Sequence, residues 1–443
     1  MSDLSHYSRA AVLAKLDRPL PPFLRMGVTL LALVGAVGFV ILLVAGQAQR
    51  AWMAYLVNWL FWTGLALGGI LFHAVTNVAK GRWSAPLVRI GEASVAFLPV
   101  SFVLFLLLWF GKAHLWTWVA HPISEPHVKG FWLQPAFMFA RDSVALLVLF
   151  GVATWFVYHS VRPDVALVAD KAPAERRPLY ARLTKDWSAR GETYSTDRLT
   201  TLAPVLIVAY AVCMSVIAFD VIMSLAPHWL SNLLGGFFFM GAWLAGLMSL
   251  ALLIVFYRSH FELDSVITPR HLHDLGKLCF GFTVFWAYLF FSQFLVIWYG
   301  NLPEETSFLF LRMMAPEWRG ISIAMLLMVF LVPFWGLISV AGKKTPSALA
   351  TFAVISLLGL WVDRYVLVVP SIVQETAGHT LPLGWQELLV TLGFAGAWAL
   401  CYLWFHARFP MVSPTLMEHY GERRHHAHSG AEDVEAREVP ETP

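Results

Sequence analysis

Long apolar runs separated by short polar connections dominate the chain. Ten of these runs hold at least 18 mostly apolar residues, enough for a helix to cross a hydrocarbon core of roughly 30 Å. Every backbone polar group must be satisfied within a segment that faces lipid, so each run is predicted to be an α-helix. The predicted spans are 27–47, 52–78, 90–111, 134–158, 203–225, 232–257, 276–299, 320–341, 348–369 and 385–406.

The composition indicates a membrane protein and excludes a soluble one. Of the 443 residues, 58% are hydrophobic and 13% are charged. A soluble domain could not bury that much apolar surface. We therefore predict an all-α integral membrane protein with about ten transmembrane helices.

Lysine and arginine are unevenly distributed between the connections. The lead before the first span, the even-numbered connections and the tail are basic, whereas the odd-numbered connections carry few basic residues. By the positive-inside rule, both termini of this multi-pass protein are expected in the cytoplasm. An even number of spans meets that requirement.

Spans two to five resemble spans six to nine in order. The third and seventh share a glycine followed by a charged residue, and the fourth and eighth share an arginine near their start. The fifth and ninth share an aspartate with a proline seven residues later, in AFDVIMSLAP (218–227) and WVDRYVLVVP (361–370). Copies offset by four spans have the same orientation, so we predict parallel repeats about an axis along the membrane normal.

The repeat divides the chain into two four-helix bundles flanked by two peripheral helices. Small residues spaced like Gly64 and Gly68 would let helix backbones approach closely. The predicted units are a cytoplasmic lead 1–26, a peripheral helix 27–50, a first bundle 51–225 with a cytoplasmic loop 159–202, a second bundle 226–371, a peripheral helix 385–406 and a disordered cytoplasmic tail 413–443.

Two aspartates near the ends of apolar runs are the strongest candidates for a functional site. A carboxylate within a span is costly unless it faces protein or water, so Asp220 and Asp363 are candidates by default. A buried carboxyl group also suits the uptake of a proton from a quinol hydroxyl. The alternative is structural, with each aspartate capping a helix or neutralising Arg141, Arg319 or Arg364.

Depth along the alternating spans sorts the other polar residues into an outer and a cytoplasmic set. These sets, separated by an apolar middle, could form proton half-channels, or the outer set could form a quinone pocket. For Asp142 we favour an ion pair with the adjacent Arg141. The proton-transfer or quinol-site candidates are Asp220, Asp363, Asp142, Arg141, Gln293, Glu92, His73 and, between the two sets, Tyr288.

The chain carries no motif for a redox centre or a resident metal. The histidines cluster at span ends, and no span has two at helical-turn spacing in its middle, as a haem b site would need. The three cysteines form neither an iron–sulfur set nor a haem c motif. Electrons would therefore have to be carried by partner subunits.

Three segments carry a resemblance to one family. They are HLHDLGKLCFGFTVFWAYLFFSQFLVIWYGNLPEET (271–306), FDVIMSLAPHWLSN (219–232) and WVDRYVLVVPS (361–371). In these segments the chain resembles the NrfD-like membrane subunits, which include the polysulfide reductase membrane subunit. The resemblance extends over most of residues 20–410. Residues 52–75 and 128–144 look like the second of the two large membrane subunits of bacterial alternative complex III.

The resemblance implies a complex of a bacterial cytoplasmic membrane that oxidises quinol and reduces a cytochrome c-type acceptor or a terminal oxidase. The implied partners are a paralogous NrfD-like subunit, an iron–sulfur and molybdopterin-like subunit, haem c subunits and small membrane subunits. The first large membrane subunit of that complex carries a histidine and an aspartate associated with quinol. This chain lacks that pattern, so its own quinol contact is left open.

The main hypothesis is therefore an integral subunit of a quinol:cytochrome c-type oxidoreductase, which scaffolds the complex and carries proton half-channels. Such a chain would not be an enzyme alone. One alternative is the membrane anchor of a polysulfide reductase-type molybdoenzyme. A second is a secondary transporter, since duplicated spans with buried charges also occur there.

Overall fold

The computed structural model describes residues 20–120, 128–188, 190–375 and 381–418. These residues form helices without a strand, and ten helices are long and apolar enough to cross a membrane, as predicted. The protein is an all-α, multi-pass membrane protein. The ten helices are α1 (Pro22–Val44), α2 (Ala48–Val78), α3 (Val88–Leu115), α4 (Pro135–Val168), α5 (Gly191–Leu225), α6 (Leu234–His260), α7 (Pro269–Gly300), α8 (Pro316–Ile338), α9 (Pro346–Val373) and α10 (Trp385–His406).

Successive helices alternate in direction, so the connections fall on two faces. We call the face with the even-numbered connections the basic face and the other the opposite face. Short helices lie in several connections. The one between α4 and α5 holds Arg177–Leu183, and the one between α7 and α8 holds Pro303–Met313.

Two boundaries near the basic face differ from the prediction. The expected loop 159–202 is shorter, because α4 continues to Val168 and α5 already begins at Gly191. Charged residues in the extended end of α4 have partners within the protein: Arg162 donates to the Leu183 carbonyl at 2.9 Å, and Asp164 pairs with Arg89 at 2.6 Å. Paired in this way, they do not end the helix.

The second difference is at the start of the tail. Ser413 and Thr415 are buried, and residues 414–418 form a short helical turn, so the predicted disorder does not begin at 413. The rest of the predicted tail, 419–443, and most of the lead, 1–19, lie outside the described residues.

The helices α2 and α6 meet at the centre of the molecule. Gly64 faces Ala242, and a Cβ on Gly68 would lie 2.9 Å from the Cα of Gly246. The predicted close approach at Gly64 and Gly68 is confirmed. Its partner is the corresponding helix of the second half of the chain.

Helix contacts repeat between the two halves. In the first half α2 contacts α3 and α5, and α4 contacts α3 and α5. In the second half α6 contacts α7 and α9, and α8 contacts α7 and α9. Across the junction, α5 contacts α6 as α9 contacts α2. The packing is that of two four-helix bundles joined through α2 and α6.

The first and last helices pack against each other at the edge of the first bundle. A Cβ on Gly393 of α10 would lie 2.8 Å from the Cα of Gly35 of α1. An ion pair at 2.6 Å between Arg50 and Glu387 joins the ends of α10 and α2 at the opposite face. Most of α1 is exposed, as expected for a helix that faces lipid.

Candidate functional site

One polar cluster lies near the basic face between α2, α3 and α4. Gly69 of α2 and Gly91 of α3 meet closely, since a Cβ on Gly69 would lie 3.0 Å from the Gly91 carbonyl oxygen. This approach brings His73, one turn after Gly69, against Glu92, which follows Gly91. The Nδ1 of His73 is 2.5 Å from Oε1 of Glu92, and both side chains are buried.

Glu92 has two further partners in this cluster. The hydroxyl of Ser160 donates to its Oε2 at 3.0 Å, and a terminal nitrogen of Arg89 lies 3.1 Å from the same oxygen. The other terminal nitrogen of Arg89 donates to Asp164 at 2.6 Å. Because Arg89 offsets only one of the two buried carboxylates, a proton held between His73 and Glu92 makes the cluster neutral.

The imidazole of His73 has one nitrogen left over. Its Nε2 is buried and has no hydrogen-bond partner in the described part of the chain. The ring packs edge-on against Phe156, with centroids 4.9 Å apart. A histidine with one bound and one free nitrogen can pass a proton from one side of the ring to the other.

A second polar cluster lies at the opposite face of the same bundle, where α5 has a π-helical turn, Ala218–Ile222, shortly before its end. Oδ1 of Asp220 accepts the indole N–H of Trp132 at 2.8 Å, and Oδ2 accepts from Arg141 at 2.7 Å. Asp220 thus neutralises Arg141, as the structural alternative for this aspartate proposed, and the ion pair favoured for Asp142 with Arg141 does not form. Adjacent residues of a helix do not face each other, so Arg141 reaches across to α5.

Asp142 is buried beside Asp220. Neither oxygen of Asp142 has a hydrogen-bond partner among the described residues, and its carboxyl group lies close enough to that of Asp220 for the two to interact electrostatically. Two neighbouring buried carboxyl groups with one arginine favour a shared proton, because a second, uncompensated negative charge is costly in a low-dielectric interior. With Arg141 as the cation bound to Asp220, the three groups are neutral when the pair holds one proton.

Asp220 and Asp363 are each followed by a proline seven residues later, and the helix ends that carry them make similar contacts in the two halves. Trp118, in the connection before α4, donates to the carbonyl of Ser224 at 3.1 Å. Arg312, in the connection before α8, donates to the carbonyl of Leu367 at 2.9 Å. Each carbonyl belongs to the fourth residue after the aspartate. Corresponding connections therefore cover corresponding helix ends.

Arg312 compensates for the proline in α9. Pro370 has no N–H, so the carbonyl of Val366 lacks its helical donor, and Nε of Arg312 donates to it at 2.8 Å. The guanidinium also donates to Ser371 at 2.7 Å and lies 3.3 Å from the ring centroid of Phe308. Burial lowers the pKa of Arg312, yet an arginine stays charged in proteins. Sequence analysis missed this residue, although Pro370 implied a free carbonyl.

Asp363 has a weaker partner than Asp220. Arg364 approaches it only to 3.6 Å and donates instead to the carbonyl of Phe238 at 3.0 Å. Asp363 and Gln293 line a cavity of about 50 Å³, together with Arg312 and several phenylalanines. That volume holds a few water molecules and is too small for a quinol ring.

Tyr288 lies outside both clusters. Its side chain is 60% exposed on the outer surface of α7. The other sequence candidates fall into three groups: His73 with Glu92, Asp142 with Arg141 and Asp220, and Gln293 with Asp363. Residues that the sequence did not single out complete the first group, namely Arg89, Ser160, Asp164 and Thr415.

A larger cleft of about 450 Å³ lies between α2, α6, α9 and α10. Its walls are almost wholly apolar, and its carboxylate, Glu387, is bound by Arg50 through two bonds of 2.6 and 2.7 Å. The size suits a hydrocarbon chain or a ring-bearing lipid. The residues that line this cleft therefore include no unpaired acid or base that could exchange protons.

No protein-family model matches the chain, and no curated protein is significantly similar to it. The chemistry of the two clusters in the first bundle therefore carries the functional argument.

Proposed function

We propose that this chain is the integral membrane subunit of a quinol-oxidising complex of the alternative complex III type, in a bacterial cytoplasmic membrane with both termini in the cytoplasm. The observation that supports it most is the carboxyl pair of Asp142 and Asp220 with a single arginine, buried at the opposite face. In this role the chain scaffolds the complex and transfers protons. Partner subunits with iron–sulfur clusters and haem c take the electrons to a cytochrome c-type acceptor.

Oxidation of a quinol to a quinone releases two protons and two electrons. Side chains of the membrane subunits must accept these protons, because an uncompensated charge is costly within the bilayer. Both oxygens of Asp220 already accept hydrogen bonds, from Trp132 and Arg141, so Asp142 is the member of the pair that is free to take up the proton. Arg141 is partly exposed, which gives the pair a route to the opposite face.

The cluster of His73 and Glu92 supplies the second proton site of this bundle. Ser160 and Asp142 are about 27 Å apart along α4, at 1.5 Å per residue. Between these depths lies the buried hydroxyl pair of Thr63 and Ser101, with 2.6 Å between the oxygens. The arrangement supports two half-channels that end in a mostly apolar middle.

The test uses the chain assembled with its partners in membranes. Asp142→Asn keeps the size of the side chain but removes its titration, and we expect it to reduce proton release coupled to quinol oxidation by roughly tenfold or more, as loss of a general base does. The matched control is Asp264→Asn, because Asp264 is 67% exposed in a surface ion pair. Unchanged proton release in both Asp142→Asn and Asp220→Asn would contradict the proposed role.

Purification of the native complex tests the assembly separately. We expect the chain to co-purify with haem c and iron–sulfur subunits. Recovery with a molybdopterin catalytic subunit and no haem c would favour the molybdoenzyme anchor. Transport by the chain alone in liposomes would favour a transporter.

A further inference from the structure

The segment that follows α10 folds back over the basic face of the first bundle. Tyr180, in the short helix between α4 and α5, donates to the carbonyl of Arg408 at 2.8 Å and holds the start of the segment. Met411, Val412 and Ser413 are then buried almost completely. This stretch after α10 is thus packed like the interior of the protein.

Thr415 joins this segment to the cluster of Glu92. Its backbone N–H and its hydroxyl both donate to Oδ1 of Asp164, at 3.1 and 2.7 Å. The other oxygen of Asp164 accepts from Arg89 at 2.6 Å, and Arg89 contacts Glu92 at 3.1 Å. One continuous chain of contacts therefore runs from Thr415 through Asp164, Arg89 and Glu92 to His73.

The arrangement makes Asp164 depend on the segment. Without Thr415, one carboxylate oxygen of a wholly buried aspartate would have neither of these donors, which is costly in a low-dielectric interior. Water would have to enter to satisfy it, or Asp164 would turn and draw Arg89 away from Glu92. Either change alters access to the proton shared by Glu92 and His73.

We propose that Thr415 is a positioning residue for Glu92, and that residues 409–418 seal the cluster of His73 and Glu92 from the basic face. The seal fixes Arg89 between Asp164 and Glu92 and keeps bulk water out. The assignment of proton exchange to this cluster rests on the proposed function. The existence of the seal does not, because it concerns only access from water.

Chemical labelling of the full-length protein in lipid nanodiscs measures that access. A water-soluble carbodiimide with an isotope-labelled amine modifies carboxyl groups that water reaches, and peptide mass spectrometry gives the rate at Glu92. Thr415→Val removes the hydroxyl bond to Asp164, so we expect Glu92 to be labelled roughly tenfold faster or more, as for loss of one hydrogen bond to a charged group. Thr415→Ser, which restores the hydroxyl, is expected to return the wild-type rate.

Two further variants sharpen the experiment. Leu416→Glu places a charge at a buried position and is expected to expel the whole segment, giving faster labelling than Thr415→Val. The matched control is Thr351→Val, since Thr351 is an exposed residue of α9 whose hydroxyl donates to its own helix. If Leu416→Glu fails to fold, Thr415→Val and its serine rescue decide the question.

Wild-type labelling of Glu92 in Thr415→Val and Leu416→Glu would overturn the seal. The assembled complex provides the second readout, the pH profile of proton uptake, which we expect Thr415→Val to shift and Thr415→Ser to restore. Faster labelling with an unchanged pH profile would keep the seal and remove Thr415 as a positioning residue. It would also count against proton transfer at Glu92, separately from the test on Asp142.

Discussion

Gly68 and Gly246 touch across the centre of the molecule, where the second helix of each half meets its counterpart. A Cβ on Gly68 would lie 2.8 Å from the carbonyl oxygen of Ala242 and 2.9 Å from the Cα of Gly246. Small residues on both helices make the two bundles one unit, because the helix axes come close enough for backbone contact.

Substitution at this crossing should therefore be costly. Gly68→Leu inserts a side chain where only hydrogen fits, and we expect a loss of at least about 1–3 kcal/mol in stability from overpacking. Thermal unfolding in detergent measures the effect. Gly236→Leu is the control on α6, because a Cβ there meets nothing within 4 Å. Equal melting temperatures for the two variants would contradict the tight crossing.

The proton of the carboxyl pair should be visible by infrared spectroscopy. If Asp142 is protonated at neutral pH, the protein shows the carbonyl stretch of a carboxylic acid, and Asp142→Asn removes it. Asp264→Asn serves as the control and should leave the band in place, because Asp264 is an exposed carboxylate. Retention of the band in Asp142→Asn would place the proton elsewhere.

Arg89 should matter more than an ordinary surface cation. Arg89→Met leaves Glu92 and Asp164 buried without their shared arginine, and we expect a loss of about 3–5 kcal/mol, as when one partner of a buried ion pair is removed. Denaturant unfolding in mixed micelles gives the value. Lys277→Met, which breaks a pair between an exposed lysine and Asp274, should cost less than about 1 kcal/mol.

The link between Arg312 and Pro370 predicts coupling between two substitutions. Arg312→Met leaves the Val366 carbonyl without a donor, and we expect a loss of about 1.5–3 kcal/mol. In Pro370→Ala the backbone N–H returns, so the double variant should lose less than the sum of the single effects. The measurement is a double-mutant cycle on melting temperature, with the exposed Arg319→Met as the control. Strict additivity would show that the carbonyl is satisfied in another way.

Much of this architecture follows from hydropathy, because lipid leaves an apolar run of this length one backbone conformation. The meeting of His73 with Glu92 followed from depth, as both lie near the basic end of neighbouring helices. For Arg141 the sequence left two partners open. Adjacency in sequence favoured Asp142, whereas the helix directs the arginine toward Asp220, the partner named in the structural alternative.

Contacts distant in sequence account for most of what sequence analysis missed. Asp164 and Thr415 are 251 residues apart, and neither stands out in a hydropathy profile. The segment around Thr415 was predicted to be disordered from its composition. It is ordered because Thr415 donates hydrogen bonds to the buried Asp164 carboxylate and because Met411 and Val412 are buried against apolar side chains. A contact of this kind can be identified only from the three-dimensional packing of the helices.

The pairing of α1 with α10 has a consequence for biosynthesis. α1 is synthesised before α10 and must remain in the bilayer until α10 arrives, because Gly393 supplies the surface that fits Gly35 and Glu387 supplies the counter-charge for Arg50. A chain cut short before α10 would enter the membrane with a bare glycine stripe and an unmatched arginine.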